Sequence, residues 1–262
     1  MFNYFTHSIV LIFLGYASVY PLFFWITPLQ KIDQGFYRFN LGKCCIIGSL
    51  GTLAYYFIAT DYFSEIILLV WLFLLGSITA FYWNRKIIHN SIITLISFLG
   101  IIALLNILSH FMDDLYFQAS FTVIIGSLIT AGVFFSMILG HWYLNVIALP
   151  ISLLKKSTTA LSVALAIRII WDVFFMTSNV YVDSYGITKN SWSFLFDFDG
   201  ILLLVALFMG NIFPVLINYF VWSTLKIQAT QSATGLLYVS IISILFGDII
   251  FKFYLLQYRL PL

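Results

Sequence analysis

Residues 117–149 read FQASFTVIIGSLITAGVFFSMILGHWYLNVIAL, 33 residues without an aspartate, glutamate, lysine or arginine. A helix needs roughly 20 predominantly apolar residues to cross a hydrocarbon core. This run is longer, so as a membrane helix it must tilt or protrude. Strands of a membrane barrel would alternate apolar and polar residues with period two. The apolar character here is continuous, and the stretch specifies a membrane helix.

Working outward, the same criterion gives eight spans, at 5–26, 44–60, 66–83, 91–110, 117–149, 158–177, 201–222 and 232–256. The second lies at the short limit. Residues 1–26 lack a basic leader region, carry too long an apolar run and precede no small-residue cleavage site, so they are expected to be a retained first span rather than a signal peptide. Loops are short, with no linker, low-complexity tract or internal repeat. The expected fold is all-α: a polytopic integral membrane helical bundle of eight transmembrane helices forming one domain over 1–262.

Composition excludes the alternatives. Of 262 residues, 62% are apolar and 8% charged, with mean hydropathy +1.04; soluble domains carry about 25% charged residues. With a net charge of +2 and two cysteines, a disordered chain, a nucleic-acid binder and a disulfide scaffold are excluded too. The expected partners are membrane lipids and other protein subunits, with no nucleic acid. Cys44 and Cys45 are adjacent in a reducing compartment, which favours small apolar filler over a disulfide.

Loop charge sets the expected orientation. Loops 1–2, 3–4, 5–6 and 7–8 hold Lys31, Arg38, Lys43, Arg85, Lys86, Lys155, Lys156 and Lys226 against Asp33. The other side holds Asp61, Glu65, Asp113, Asp114, Asp183, Asp197 and Asp199, with Lys189 and Arg259 as its bases. Basic loops stay cytoplasmic. Both termini are therefore expected outside, which for a bacterial inner membrane means the periplasm.

Ionisable residues at membrane depth are expensive and call for partners. Arg168 lies mid-span with Asp172 at i+4; Asp248 and Lys252 repeat that spacing in span 8, so each pair shares a helix face. Such pairs either neutralise themselves and join helices, or line a cavity for a polar headgroup or a proton. Asn211 and Asn218 flank Pro214 in span 7, suggesting a polar seam between spans 5, 7 and 8. Pro214 also frees a backbone carbonyl that neighbouring polar groups must satisfy. Gly132, Ser136 and Gly140 form a small-residue stripe suited to close helix packing. It leads into His141, Trp142, Tyr143 and Asn145, a set able to donate to a quinone carbonyl or a lipid headgroup. His141 also has the depth for a b-type haem ligand, although such a site needs a second imidazole facing it. Ser232 and Thr234 are candidate caps for span 8. No nucleotide, zinc-hydrolase, redox dithiol or serine-hydrolase motif is present.

The last span reads Gly247-Asp248-x-x-x-Lys252-Phe-Tyr254. With eight spans, short loops and outside termini, it resembles the membrane-anchor subunits of the dimethyl-sulfoxide-reductase and polysulfide-reductase class. The resemblance covers topology and about ten residues. It implies a quinol-interacting anchor, usually without haem, that docks a catalytic or iron–sulfur partner. This chain departs from that pattern by lacking an acidic quinol-site residue in its early spans, since Glu65 is superficial. The expectation is therefore a non-catalytic membrane-embedded anchor subunit of a respiratory or electron-transfer complex, with a quinone or lipid pocket near helices 5–8. A small-solute transporter and a purely structural assembly subunit are the alternatives.

Overall fold

The computed structural model describes every residue except 1, 30, 59–60, 86, 113–114, 147–148 and 183–186, and does not extend to the side chains of 2, 3 and 182. Lys86, Asp113, Asp114 and Asp183 of the loop-charge pattern, and the end of the second span at Thr60, lie outside the described residues. Among the described residues, seven helical segments are long and apolar enough to cross a membrane: Tyr4–Ile26, Tyr62–Tyr82, Asn90–Phe111, Tyr116–Asn145, Ser152–Ser178, Phe198–Lys226 and Thr230–Tyr258. The chain is a predominantly helical integral membrane bundle.

The first segment is not one uniform helix. Helix α1 (Phe2–Val19) tightens into a 3-10 segment, Tyr20–Ile26. Pro21 causes the change, because it has no N–H and its ring clashes with the carbonyl four residues earlier. The tightened turn packs Tyr20, Phe23 and Phe24 around Phe135. Helix α2 runs Gln34–Tyr56 rather than 44–60. Asp33 starts it early by accepting from Gly35 N at 3.2 Å, satisfying a donor that a helix N-terminus otherwise leaves orphaned. Arg38 and Lys43 thus belong to the helix, and with Asn40, three glycines from 42 to 51, Ser49 and Thr52 they keep it less apolar than the seven segments. Asp61 likewise caps α3 (Tyr62–Tyr82), which leads to α4 (Asn90–Phe111).

Helix α5 (Tyr116–Asn145) touches α1, α4, α6 and α10. Its 30 residues span about 45 Å, against a hydrocarbon core of about 30 Å, so it protrudes or tilts as its length requires. Helix α6 (Ser152–Ser178) begins well before position 158 and takes Lys155 and Lys156 into its first turns. A small hairpin follows, which the sequence patterns do not predict: β1 (Val180–Val182) pairs antiparallel with β2 (Thr188–Asn190). Three-residue strands are too short to display a period of two. Asn190 then caps the short α7 (Ser191–Phe194).

The segment Phe198–Lys226 is interrupted. It comprises α8 (Ile201–Leu207), a π-helical turn (Phe208–Ile212) and α9 (Phe213–Lys226). In the π turn, Phe213 N bonds to Phe208 O. Met209 O would next bond to residue 214, but that is proline and has no N–H. Ser243 Oγ on α10 (Thr230–Tyr258) donates to this stranded carbonyl instead. The freed carbonyl expected from Pro214 is therefore real, and its partner comes from another helix. Helix α10 starts at Thr230, and its N-cap, Ala229, makes no side-chain cap. Ser232 and Thr234 are thus not caps; Thr234 Oγ1 bonds back to Thr230 O at 2.8 Å. Past α10, Arg259 adopts a left-handed φ of 56°, and Leu260 and Leu262 turn back into the bundle as buried residues.

Candidate functional site: a buried charge network

Two ion pairs lie inside the bundle. Arg168 Nε is 3.0 Å from Asp172 Oδ1, with side-chain exposures of 2% and 5%. Lys252 Nζ is 2.5 Å from Asp248 Oδ1, with exposures of 1% and 6%. The i,i+4 spacing brings each pair together within one helix. Close packing of helices brings the pairs to each other, and Gly126 on α5 marks the meeting point. A Cβ there would lie 2.6 Å from Asp248 Oδ1, 3.3 Å from Lys252 Nζ and 3.5 Å from Arg168 Nη1. Charges from α6 and α10 therefore surround one backbone position, where a side chain would have to displace the Asp248 carboxylate. A second close approach holds α10 against the π turn, since a Cβ on Gly247 would overlap Gly210 Cα.

The remaining polar partners come from three further places. Asn211 Nδ2, presented by the π turn, donates to Asp172 Oδ2 at 2.6 Å. Thr130 Oγ1 on α5 donates to Asp248 Oδ2 at 3.0 Å. Arg168 Nη1 donates to Thr122 O at 3.3 Å, and Nη2 donates to Leu262 O. The guanidinium carbon also sits 4.3 Å from the ring centroid of Phe251, a favourable cation–π position. The two side-chain cations and two side-chain carboxylates balance one another, which is what membrane burial demands. A small void beside Gly126, Arg168, Asn211 and Asp248 has a volume of about 10 Å³, the size of one water molecule. The carbonyl oxygen of Asn211 has no protein partner.

Of the residues singled out from sequence, Arg168, Asp172, Asn211, Asp248 and Lys252 come together here. His141, Trp142, Tyr143 and Asn145 do not. They occupy the far end of α5, about 22–28 Å along its axis from Gly126 at 1.5 Å per residue. His141 and Asn145 are exposed, and Trp142 and Tyr143 half-buried. Tyr143 Oη donates to Pro150 O, Asn145 Nδ2 to His141 O at 3.4 Å, and Trp142 packs edge-on against Phe36 at 5.5 Å. The seam expected between spans 5, 7 and 8 is also redistributed. Asn218 faces α6, donating to Ser162 Oγ at 2.6 Å and Thr158 O at 3.1 Å. Gly126, Thr130 and Phe251 were not legible as site residues, because glycine, threonine and phenylalanine are ordinary in a membrane helix. The only local hint is that Gly126 and Thr130 share a face at i,i+4.

At the outer edge, Asp61 holds the start of α3. Its carboxyl accepts from Ser64 Oγ at 2.8 Å and Ser64 N at 3.0 Å, and lies 3.2 Å from His110 Nε2. The Ser64 hydroxyl first, then backbone N–H groups and His110, hold this carboxyl below its ordinary range.

Beside the network, a cleft of about 470 Å³ opens between α6 and α9, lined by Ser162, Leu165, Ile169, Asn218, Tyr219 and Trp222 among others. Its volume falls within the range of about 300–1,000 Å³ for small-molecule sites. Both amide hydrogens of Asn218 are spent on α6, while its buried carbonyl oxygen has no partner.

The bundle and its paired buried charges define a class: an integral membrane protein with a polar centre sealed inside an apolar helical shell. No family model, curated protein or solved structure matches the chain.

Proposed function

We propose that this chain is a non-catalytic anchor subunit of a respiratory or electron-transfer complex in a bacterial inner membrane. In this reading α2 supplies an eighth crossing, both termini face outward, and the α6–α9 cleft receives a quinone. The observation that carries it is the apolar cleft of about 470 Å³ between α6 and α9, which Asn218, Tyr219 and Trp222 help to line. A quinone carbonyl needs a donor and its ring an apolar wall; Tyr219 and Trp222 bring a phenol and an indole N–H to a lining without a charged residue. The ion pairs play a positioning role, holding α6, the π turn and α10 in register around it. The test is purification of the complex from native membranes followed by lipid extraction. Quinone and a redox partner are expected to co-purify, and Trp222→Phe together with Tyr219→Phe should lower quinone content several-fold. A preparation with neither quinone nor redox partner removes the reading.

One observation favours a second reading, a small-solute transporter: the seventh span is broken by a π turn and Pro214 beside the buried charges, and interrupted helices commonly mark transport sites. Uptake into proteoliposomes that Arg168→Ala abolishes would establish it.

A further inference from the structure

A second apolar recess, of about 620 Å³, lies on the opposite flank of α6, between the 3-10 segment, α5 and α6. Phe23, Ile125, Leu128, Ala164 and Ile167 contribute to its walls, and Lys156 is its one charged lining residue. Two features of sequence create it. Ala160 and Ala164 sit at i,i+4 on α6 and lower that wall. Pro21 converts the end of α1 into the 3-10 turn that forms the opposite side.

We propose that this groove binds one acyl chain of an anionic phospholipid, with the phosphate on Lys156 Nζ. The site is separate from the α6–α9 cleft and does not depend on the quinone reading. Three observations converge. The first is length: from Lys156 to Ile167 α6 rises about 16 Å, close to half the hydrocarbon thickness of about 30 Å. The groove is therefore one leaflet deep, with its cation at the membrane-surface end and its apolar floor at the level of Arg168. The second is charge. Among the described residues no carboxylate pairs with Lys156, so the ammonium is exposed and uncompensated above an apolar slot. The third is the poverty of neutral donors. Thr159, the other polar lining residue, spends its hydroxyl hydrogen on Lys155 O at 2.8 Å. A neutral quinone thus finds no neutral donor here, whereas a phosphate oxygen finds an ammonium suited to a charge-assisted hydrogen bond. Lys156, in the first turns of α6, also belongs to the basic set that the charge pattern assigns to the cytoplasmic face, where anionic lipids create a negative surface potential.

Native mass spectrometry of the purified full chain, equilibrated with equal amounts of phosphatidylglycerol and phosphatidylcholine, tests this directly. The wild-type chain is expected to retain one phosphatidylglycerol in preference to phosphatidylcholine by about fivefold, the discrimination one interfacial lysine supplies. Lys156→Gln should bring the ratio to parity, while Lys155→Gln, one residue away and off the groove wall, should leave it unchanged. Ala164→Phe should fill the slot and lower retention of both lipids. Val163→Phe, at an exposed position lining the same groove, serves if Ala164→Phe does not fold. The proposal is overturned if Lys156→Gln keeps the preference, or if Lys155→Gln loses it equally. Undiminished retention in the groove-filling variant, or preferential retention of added quinone that Lys156→Gln leaves intact, overturns it as well.

Discussion

Replacing Asp172 by leucine exposes the logic of the buried network most directly. The substitution strands two donors in the bilayer interior: Arg168 Nε, 3.0 Å from the lost carboxylate, and Asn211 Nδ2, 2.6 Å away. Arg168 is 2% exposed and Asn211 4%, so water cannot readily replace the partner. Breaking a buried ion pair on one side costs about 3–5 kcal/mol, and Asp172→Leu is expected in that range. Arg168→Leu should fall at its lower end, because Asp172 keeps the Asn211 amide and can take up a proton, although the Thr122 and Leu262 oxygens lose their donor. The double substitution removes both charges of the pair, and leaving the neutral Asn211 amide and Thr122 carbonyl unpaired costs about 1–3 kcal/mol. It should therefore be more stable than Asp172→Leu alone, with a coupling of about 1–3 kcal/mol. Network neutrality sharpens this further. Asp172→Leu combined with Lys252→Leu leaves Arg168 with Asp248, both bordering Gly126, and should also outperform Asp172→Leu. The assay is the temperature at which half of each detergent-solubilised variant leaves the monodisperse peak in size-exclusion chromatography. Wild-type behaviour of Asp172→Leu, or a double variant as unstable as the summed singles, would refute the pairing.

Other consequences are equally concrete. Ser243→Ala strands Met209 O and should lower the same midpoint by the equivalent of about 1–3 kcal/mol; adding Pro214→Ala restores an N–H at that register and should recover part of the loss. Gly247→Ala forces α10 away from Gly210 Cα and should destabilise by about 1–3 kcal/mol, whereas Gly76→Ala, with open space around it, should not. The depressed Asp61 carboxyl contributes stability that is complete above its ordinary value near 3.8 and is lost as pH falls through the lower folded value. Wild-type midpoints should therefore drop more steeply below pH 4 than those of Asp61→Asn, and parallel curves would rule out the cap's role. In a background without Cys44 and Cys45, cysteines at Lys155 and Lys226 should resist an impermeant thiol reagent in intact cells while cysteines at Asp197 and Asp199 react; reversed labelling would overturn the orientation.

Sequence alone determined the bilayer as solvent and the helix as the repeating element, because hydrocarbon length and continuous apolarity are local properties of the chain. It also paired Arg168 with Asp172 and Asp248 with Lys252, since i,i+4 neighbours meet on any α-helix. The ends of the helices were less legible. Asp33 and the π turn at Asn211 act through hydrogen bonds one or two turns wide, which hydropathy averages away. The meeting of the two ion pairs was a tertiary decision. It depends on Gly126 and on the Gly210–Gly247 crossing, where backbones approach only because no Cβ intervenes, and nothing in a glycine's own neighbourhood announces which helix will fill the space. The same holds for the separation of His141 from the charges: both lie in apolar runs, and only the packed bundle sets them about 22 Å apart along α5.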